Sequence, residues 1–183
     1  MKKMYLVLFS SLGLMLYSCG NSESSDANEK TTESKEVKKD KDNVIAFNDM
    51  IVKDHELIIM AEDKLVFAIE EPLSNEEVDA IYNELLELTE NTLNKYENMA
   101  PFDDEDEFRL AAVDYFKSFD HFVKEKVPSL IEYHHKGFDD LSDEELDTFF
   151  DRVDHFFDDI EAQFDKVLAA QQEFAKKYNF DVG

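Results

Sequence analysis

The stretch that decides the fold is "LDTFFDRVDHFFDDIEAQFDKVLAAQQEFAKKY", residues Leu146–Tyr178. Its apolar residues recur at alternating steps of four and three, which places them along one side of an α-helix. Further apolar residues beside this series widen it into the face of a bundle helix rather than the narrow seam of a two-stranded coil. We therefore predict one long helix over residues 143–178. The series consists of Leu146, Phe150, Val153, Phe157, Ile160, Phe164, Val167, Gln171, Phe174 and Tyr178.

Three more segments before this helix show helical periodicity, at residues 44–69, 75–98 and 104–135. The connections between them are short, and short connections make neighbouring helices antiparallel. We therefore predict an all-α fold, an antiparallel up-down-up-down four-helix bundle over residues 43–183. Pro128 lies within the third segment, and its missing N–H predicts a kink or split near residues 124–127. His55 lies near the apolar stripe of the first helix and is expected to be a polar member of the core.

Two similar stretches, "LSNEEVD" (73–79) and "LSDEELD" (141–147), resemble the helix openings of calcium sensors. Each also has a Ser followed three residues later by a Glu, the capping box that begins a helix. An EF-hand loop needs Gly at its sixth position. The acidic windows that start at Asp103 and Asp154 have Phe108 and Asp159 there. We therefore interpret both stretches as helix starts, with Ser74 and Ser142 as N-caps.

The N-terminus reads "MKKMYLVLFSSLGLMLYSCG", with two lysines before a mainly apolar run that is too short for a membrane span. The run ends in Leu16-Tyr17-Ser18-Cys19, which resembles a bacterial lipobox. We expect residues 1–18 to be a signal peptide and Cys19 to carry lipid, including palmitate. Residues 19–42 are polar and predict a disordered tether. Gly20, rather than Asp, follows the cysteine and favours the outer membrane, so the domain would be periplasmic or surface-exposed.

The charge of the chain is strongly negative, with 44 acidic residues against 19 basic ones and a net charge of −25. Such a surface is a poor partner for nucleic acid. It suits a basic protein partner, or weakly held cations. One helix face concentrates the acids, and we predict that it faces a partner. This predicted acidic face consists of Asp151, Asp154, His155, Asp158 and Asp159.

Catalytic and metal-binding patterns are sparse. A ferritin-like di-iron site needs two Glu-x-x-His motifs, and the sequence has one, Glu132 to His135. The sequence contains neither a G-x-S-x-G motif nor a Gly-rich phosphate loop. Cys19 is the only cysteine. We therefore predict no catalytic residue, no metal ligand and no cofactor.

A family resemblance rests on the lipobox, the polar tether, "YNELLELTENTLNKYENMAPFDDEDEFRLAAVDYF" (82–116) and "EFAKKYNF" (173–180). In these features the chain resembles a family of bacterial surface lipoproteins of unknown function, over most of residues 43–180. The resemblance implies a helical-bundle surface protein and transfers no catalytic residue.

The function expected from the sequence is that of a non-enzymatic binding or structural module, anchored by lipid at the cell envelope. One alternative is an immunity or inhibitor protein that neutralises a basic partner. Another is a metal-binding bundle.

Overall fold

The computed structural model describes residues 41–137 and 140–182, except for the side chains of Glu70, Phe150 and residues 152–159. The described residues form five α-helices and no strand. No helix among them is long and apolar enough to cross a membrane. The helices are α1 (Lys41–Glu70), α2 (Asn75–Glu97), α3 (Glu107–Glu125), α4 (Val127–Lys136) and α5 (Asp143–Tyr178).

Helices α1 and α2 pack in antiparallel fashion. Two ion pairs show this, since the later residue of α1 pairs with the earlier residue of α2. Lys95 Nζ lies 2.5 Å from the carboxylate of Asp54. Ten residues further along α1, Lys64 pairs with Glu84, nearer the start of α2. The α2–α3 and α3–α5 contacts reverse direction in the same way.

Helices α1 and α5 meet through long side chains. Phe47 packs against Phe174 with ring centroids 5.6 Å apart. Further along α1, the Gln171 amide donates a 2.8 Å hydrogen bond to Asn48. A layer of aromatic and amide side chains therefore joins the two helices at this level. It includes Gln171, the amide in the predicted apolar series of α5.

The predicted third helix is two helices in the structure, so the described residues form five helices where four were predicted. Helix α3 ends at Glu125 and α4 begins at Val127. Lys126 between them stays in the right-handed α region, but its φ of −110° lies far from the usual helical value. Pro128 stands in the first turn of α4, where the missing N–H is tolerated. The kink or split expected near Pro128 therefore divides the predicted third helix into two helices.

Helix α3 also begins later than predicted, at Glu107 rather than near residue 104. The preceding residue, Asp106, has φ 54° and ψ 18°, which is the left-handed backbone conformation. The chain turns at this residue before α3 begins. This conformation is uncommon for residues other than glycine, although Asp tolerates it better than most.

Both predicted capping boxes are confirmed. The Ser142 hydroxyl accepts from the backbone N–H of Glu145 at 3.3 Å, and the Glu145 carboxylate accepts from the N–H of Ser142 at 2.9 Å. Ser74 and Glu77 make the equivalent pair at 3.3 and 2.9 Å. These bonds lower the pKa of each capping glutamate, because they favour its ionised form.

Candidate functional site

The predicted acidic face lies on α5, which is helical throughout Asp143–Tyr178. Asp151 is exposed. The side chains of Asp154, His155, Asp158 and Asp159 lie outside the described part of the chain. In the sequence these four positions follow Asp151 by three, four, seven and eight residues, the spacing of one side of an α-helix. Cys19 also lies outside the described residues.

Much of the positive charge on the described surface is already used in ion pairs. Most of the described lysine and arginine side chains already form ion pairs within the fold. The sequence has 44 acidic against 19 basic residues, so carboxylates far outnumber the cations that could neutralise them. The result is a field that attracts positive charge toward the domain. The paired cations are Lys64, Lys95, Arg109, Lys124, Lys136, Lys176 and Lys177.

Asp103, the first residue of one acidic window, anchors a loop. Its carboxylate accepts hydrogen bonds from the Asp106 N–H (2.6 Å), the Tyr178 hydroxyl (2.8 Å) and Lys177 Nζ (3.1 Å). Burial opposes ionisation of this group, but the three donors and the Lys177 charge outweigh burial and lower its pKa. The carboxylate therefore ties the α2–α3 connection to the end of α5.

Asp106 lies in the same loop, and its side chain is nearly buried. Its carboxylate accepts from the N–H of Phe102 at 3.1 Å and from Arg109 Nε at 2.7 Å. Arg109 in turn donates to the backbone carbonyl of Tyr96 at 2.7 Å. The guanidinium thus fastens the start of α3 to the last turn of α2, which explains why the strained conformation of Asp106 is maintained.

The single Glu-x-x-His motif has structural contacts. His135 Nε2 lies 3.1 Å from the Asp79 carboxylate of α2. The neighbouring His134 Nδ1 lies 3.0 Å from the backbone carbonyl of Ile69, to which it donates. Glu132 is exposed. Within residues 41–137 and 140–182, no group of three or more His, Cys, Asp or Glu side chains is arranged to hold a metal ion.

His55 lies in the core, as its position near the α1 stripe predicted, and is 8% exposed. Its ring stacks on Phe164 of α5, with centroids 4.6 Å apart and planes 16° apart. On the α3 side, its centroid lies 5.3 Å from that of Tyr115. Within the described residues, neither His55 Nδ1 nor the Tyr115 hydroxyl has a hydrogen-bond partner.

A cavity adjoins these two side chains. Its volume is about 20 Å³. Its walls are mostly apolar and come from α1, α3 and α5, so no single segment of sequence predicts it. Besides His55 and Tyr115, the lining includes Ile51, Val52, Phe108, Phe164, Leu168 and Gln171.

The two titratable residues that line this cavity, His55 and Tyr115, are held in their neutral forms. Burial lowers the pKa of His55 to about 4, so the imidazole is uncharged at neutral pH. Burial, with a smaller contribution from the Glu62 charge, raises the pKa of Tyr115. Glu62 lies seven residues after His55 on α1, and burial together with the Asp63 charge raises its pKa to about 7. The heptad spacing from His55 was a signal for Glu62 that the sequence analysis missed.

Comparison with known proteins gives no relative from which a function could be transferred. The chain matches no protein-family model, no curated protein and no solved structure.

Proposed function

We propose that the protein is a non-enzymatic, lipid-anchored binding module of the bacterial cell envelope, and that its acidic helical domain engages a basic protein partner. The observation that carries the binding role is the surplus of carboxylates, 44 against 19 basic residues, with most described cations already paired inside the fold. A basic partner relieves this repulsion and is drawn in by the same field.

The architecture that we propose for this module is an up-down-up-down four-helix bundle in which α3 and α4 together serve as one broken helix. The antiparallel contacts of α1 with α2, α2 with α3, and α3 with α5 support it. Tyr133 of α4 continues the α3 packing by meeting Phe149 of α5, with ring centroids 5.3 Å apart.

Anchoring would take place at Cys19, in the lipobox Leu16-Tyr17-Ser18-Cys19, and the outer membrane is the proposed location. Each buried acyl CH₂ contributes about 0.8 kcal/mol, so stable attachment requires more than one chain. The negative domain is repelled by anionic lipid, which makes a covalent anchor necessary. The resemblance to bacterial surface lipoproteins points to the same location.

Anchoring is tested by Cys19→Ser in cells labelled with palmitate, with Ser22→Ala as a control outside the lipobox. We expect Cys19→Ser to lose the label and to leave the membrane fraction, while Ser22→Ala keeps both. A Cys19→Ser protein that remains in the membrane fraction contradicts lipid anchoring.

Partner binding is tested by crosslinking on intact cells, followed by identification of the attached protein. The acidic-face variant carries Asp151→Asn, Asp154→Asn and Asp158→Asn. Its control carries Glu56→Gln, Glu87→Gln and Glu97→Gln, which changes the net charge equally on exposed positions of α1 and α2.

We expect the acidic-face variant to lose a basic crosslinked protein that the control retains, with affinity falling steeply as salt rises. Equal loss in both variants would show that net charge alone attracts the protein, which contradicts a defined partner-binding face. Stoichiometric iron or zinc in the purified protein would instead make it a metal-binding bundle. A crosslinked basic toxin that is inactivated on binding would specify the role as an immunity protein.

A further inference from the structure

Helix α1 has a second apolar stripe, on the side that faces away from the core. The core-facing side includes Ile58, which is buried. Leu57, Met60 and Phe67 are instead 41%, 68% and 63% exposed, and they are three of the four large apolar side chains that the described part of the chain exposes. Their steps of three and seven residues place them on one side of the helix. A continuous exposed apolar stripe of this kind marks an interaction site.

The spacing of this stripe is that of a seam between two helices. Between Met50 and Phe67 the positions follow alternating steps of three and four residues, the heptad pattern by which one helix packs along another. The lysines in the series add their aliphatic stems to the apolar surface. A second helix along this seam would meet it over roughly 26 Å, at 1.5 Å per residue. This α1 outer seam consists of Met50, Lys53, Leu57, Met60, Lys64 and Phe67.

One edge of the α1 outer seam is acidic. Asp49, Glu56 and Asp63 are exposed and follow one another at intervals of seven residues, so they form a line along the helix. Val52 lies three residues after Asp49 and four before Glu56, on the same side of α1. Because Val52 lines a cavity together with Leu168 of α5, this acidic edge borders the junction of α1 with α5.

The charges decide which kind of helix fits the seam. On the other edge, Lys64 already pairs with Glu84 of α2. A second copy of this chain is disfavoured, because it would bring another net charge of −25 to the same surface. A helix with Lys or Arg beside its own apolar stripe would instead place opposite charges along the acidic edge. Charges that flank a heptad seam select the partner in this way.

We propose that the α1 outer seam is a docking site for a basic amphipathic helix, whose apolar stripe packs on Leu57, Met60 and Phe67. The inference rests on the proposed function, since the basic partner supplies this helix. The apolar side chains provide most of the affinity, because charges at the rim of an interface mainly change the rate of association. Neutralising one carboxylate of the acidic edge, as Glu56→Gln does, therefore leaves docking in place.

The experiment uses two synthetic peptides of about three heptads, both with Leu at positions a and d. The basic peptide has Lys at positions e and g, and the acidic peptide has Glu there. Fluorescence anisotropy measures their binding to the full-length protein, to Met60→Gln/Phe67→Gln and to Leu110→Gln. Leu110→Gln is the control, because it removes an exposed apolar side chain from α3. Circular dichroism confirms that each variant is folded.

We expect the double variant to bind the basic peptide about tenfold more weakly than the wild-type protein, because it loses two apolar anchors. Leu110→Gln should bind the basic peptide as the wild-type protein does, and the acidic peptide should not bind. Equal binding of the basic peptide by the wild-type protein and the double variant would show that charge alone attracts it, and would overturn the docking site. Binding of the acidic peptide would overturn it as well.

Three further outcomes separate this inference from its alternatives. Loss of peptide binding in the acidic-face variant, but not in the double variant, would place the site on α5 and leave the proposed function intact. A wild-type dimer in analytical ultracentrifugation that dissociates in the double variant would assign the seam to a second copy and overturn the inference. If the basic peptide binds as expected but crosslinking on cells yields no basic protein, the proposed function fails while the seam remains a docking site for a basic helix.

Discussion

Two residues on one side of α1 give the protein opposing responses to pH. His55 has its pKa lowered to about 4 from 6.5, so the unfolded chain binds more protons between these values and stability rises with pH. Glu62 has its pKa raised to about 7 from 4.5, so the folded protein binds more protons and stability falls with pH across that window. The two contributions oppose each other between pH 4.5 and 6.5.

Replacing Glu62 with Gln isolates one of these responses. Glutamine mimics the protonated acid, so we expect little change at pH 4 and a gain of about 3 kcal/mol in unfolding free energy at pH 8. Urea denaturation of both proteins across this range measures the difference. Glu56→Gln, which removes the same charge from an exposed position on the same helix, is the matched control. A Glu62→Gln effect that is the same at pH 4 and pH 8 contradicts the raised pKa.

The Asp106–Arg109 pair provides a second prediction at this scale. Both side chains are nearly buried, 9% and 11% exposed, so removing the cation leaves an uncompensated charge in the α2–α3 loop. We expect Arg109→Gln to cost about 3 kcal/mol of unfolding free energy. Lys64→Gln breaks a surface pair, whose side chains are 53% and 65% exposed, and should cost less than about 1 kcal/mol. Equal losses, measured by urea denaturation, would show that the loop does not depend on the buried pair.

At the scale of the helix, the capping boxes stabilise α2 and α5 at their first turns. We expect Ser142→Ala to lower the unfolding free energy by about 1 kcal/mol, since the Glu145 N–H loses its acceptor. Ser118→Ala is the matched control, because that hydroxyl donates to the Asp114 carbonyl within the interior of α3 at 3.0 Å. Alanine favours helix interiors, so the control should be neutral or slightly stabilising. An unchanged urea midpoint for Ser142→Ala would show that the cap is dispensable.

Elements fixed by residues close together in the sequence could be predicted from it, whereas those fixed by tertiary packing could not. The capping boxes were predicted because all their atoms lie within four residues. A kink or split near Lys126 was predicted, because Pro128 lacks an N–H. The periodicity alone could not decide between a kink and two separate helices, because it does not determine the backbone angles of Lys126. The left-handed Asp106 was missed because Arg109 and the end of α2 maintain it. His55 was expected in the core, whereas its neighbour Tyr115 comes from another helix and is known only from the packing.

At the scale of the whole molecule, the net charge of −25 predicts that salt stabilises the fold. Added salt screens repulsion among exposed carboxylates, and the screening length falls from about 30 Å at 0.01 M to about 10 Å at 0.1 M. We expect the thermal midpoint to rise by several degrees as sodium chloride increases over this range. A falling midpoint would indicate that the ion pairs outweigh the repulsion. Sodium and potassium chloride should act alike, since screening does not distinguish them.

The aromatic layer between α1 and α5 also determines how the domain would respond to mechanical load. A pull on the segment before Lys41 enters the fold at the first turns of α1, where Val44 and Phe47 are buried. Phe47 stacks on Phe102 of the α2–α3 loop and packs against Phe174 of α5, with ring centroids 4.3 and 5.6 Å apart. The pulling force would therefore act first on the packed aromatic rings of Phe47, Phe102 and Phe174 rather than on an exposed helix end. These contacts would resist separation of α1 from the rest of the domain.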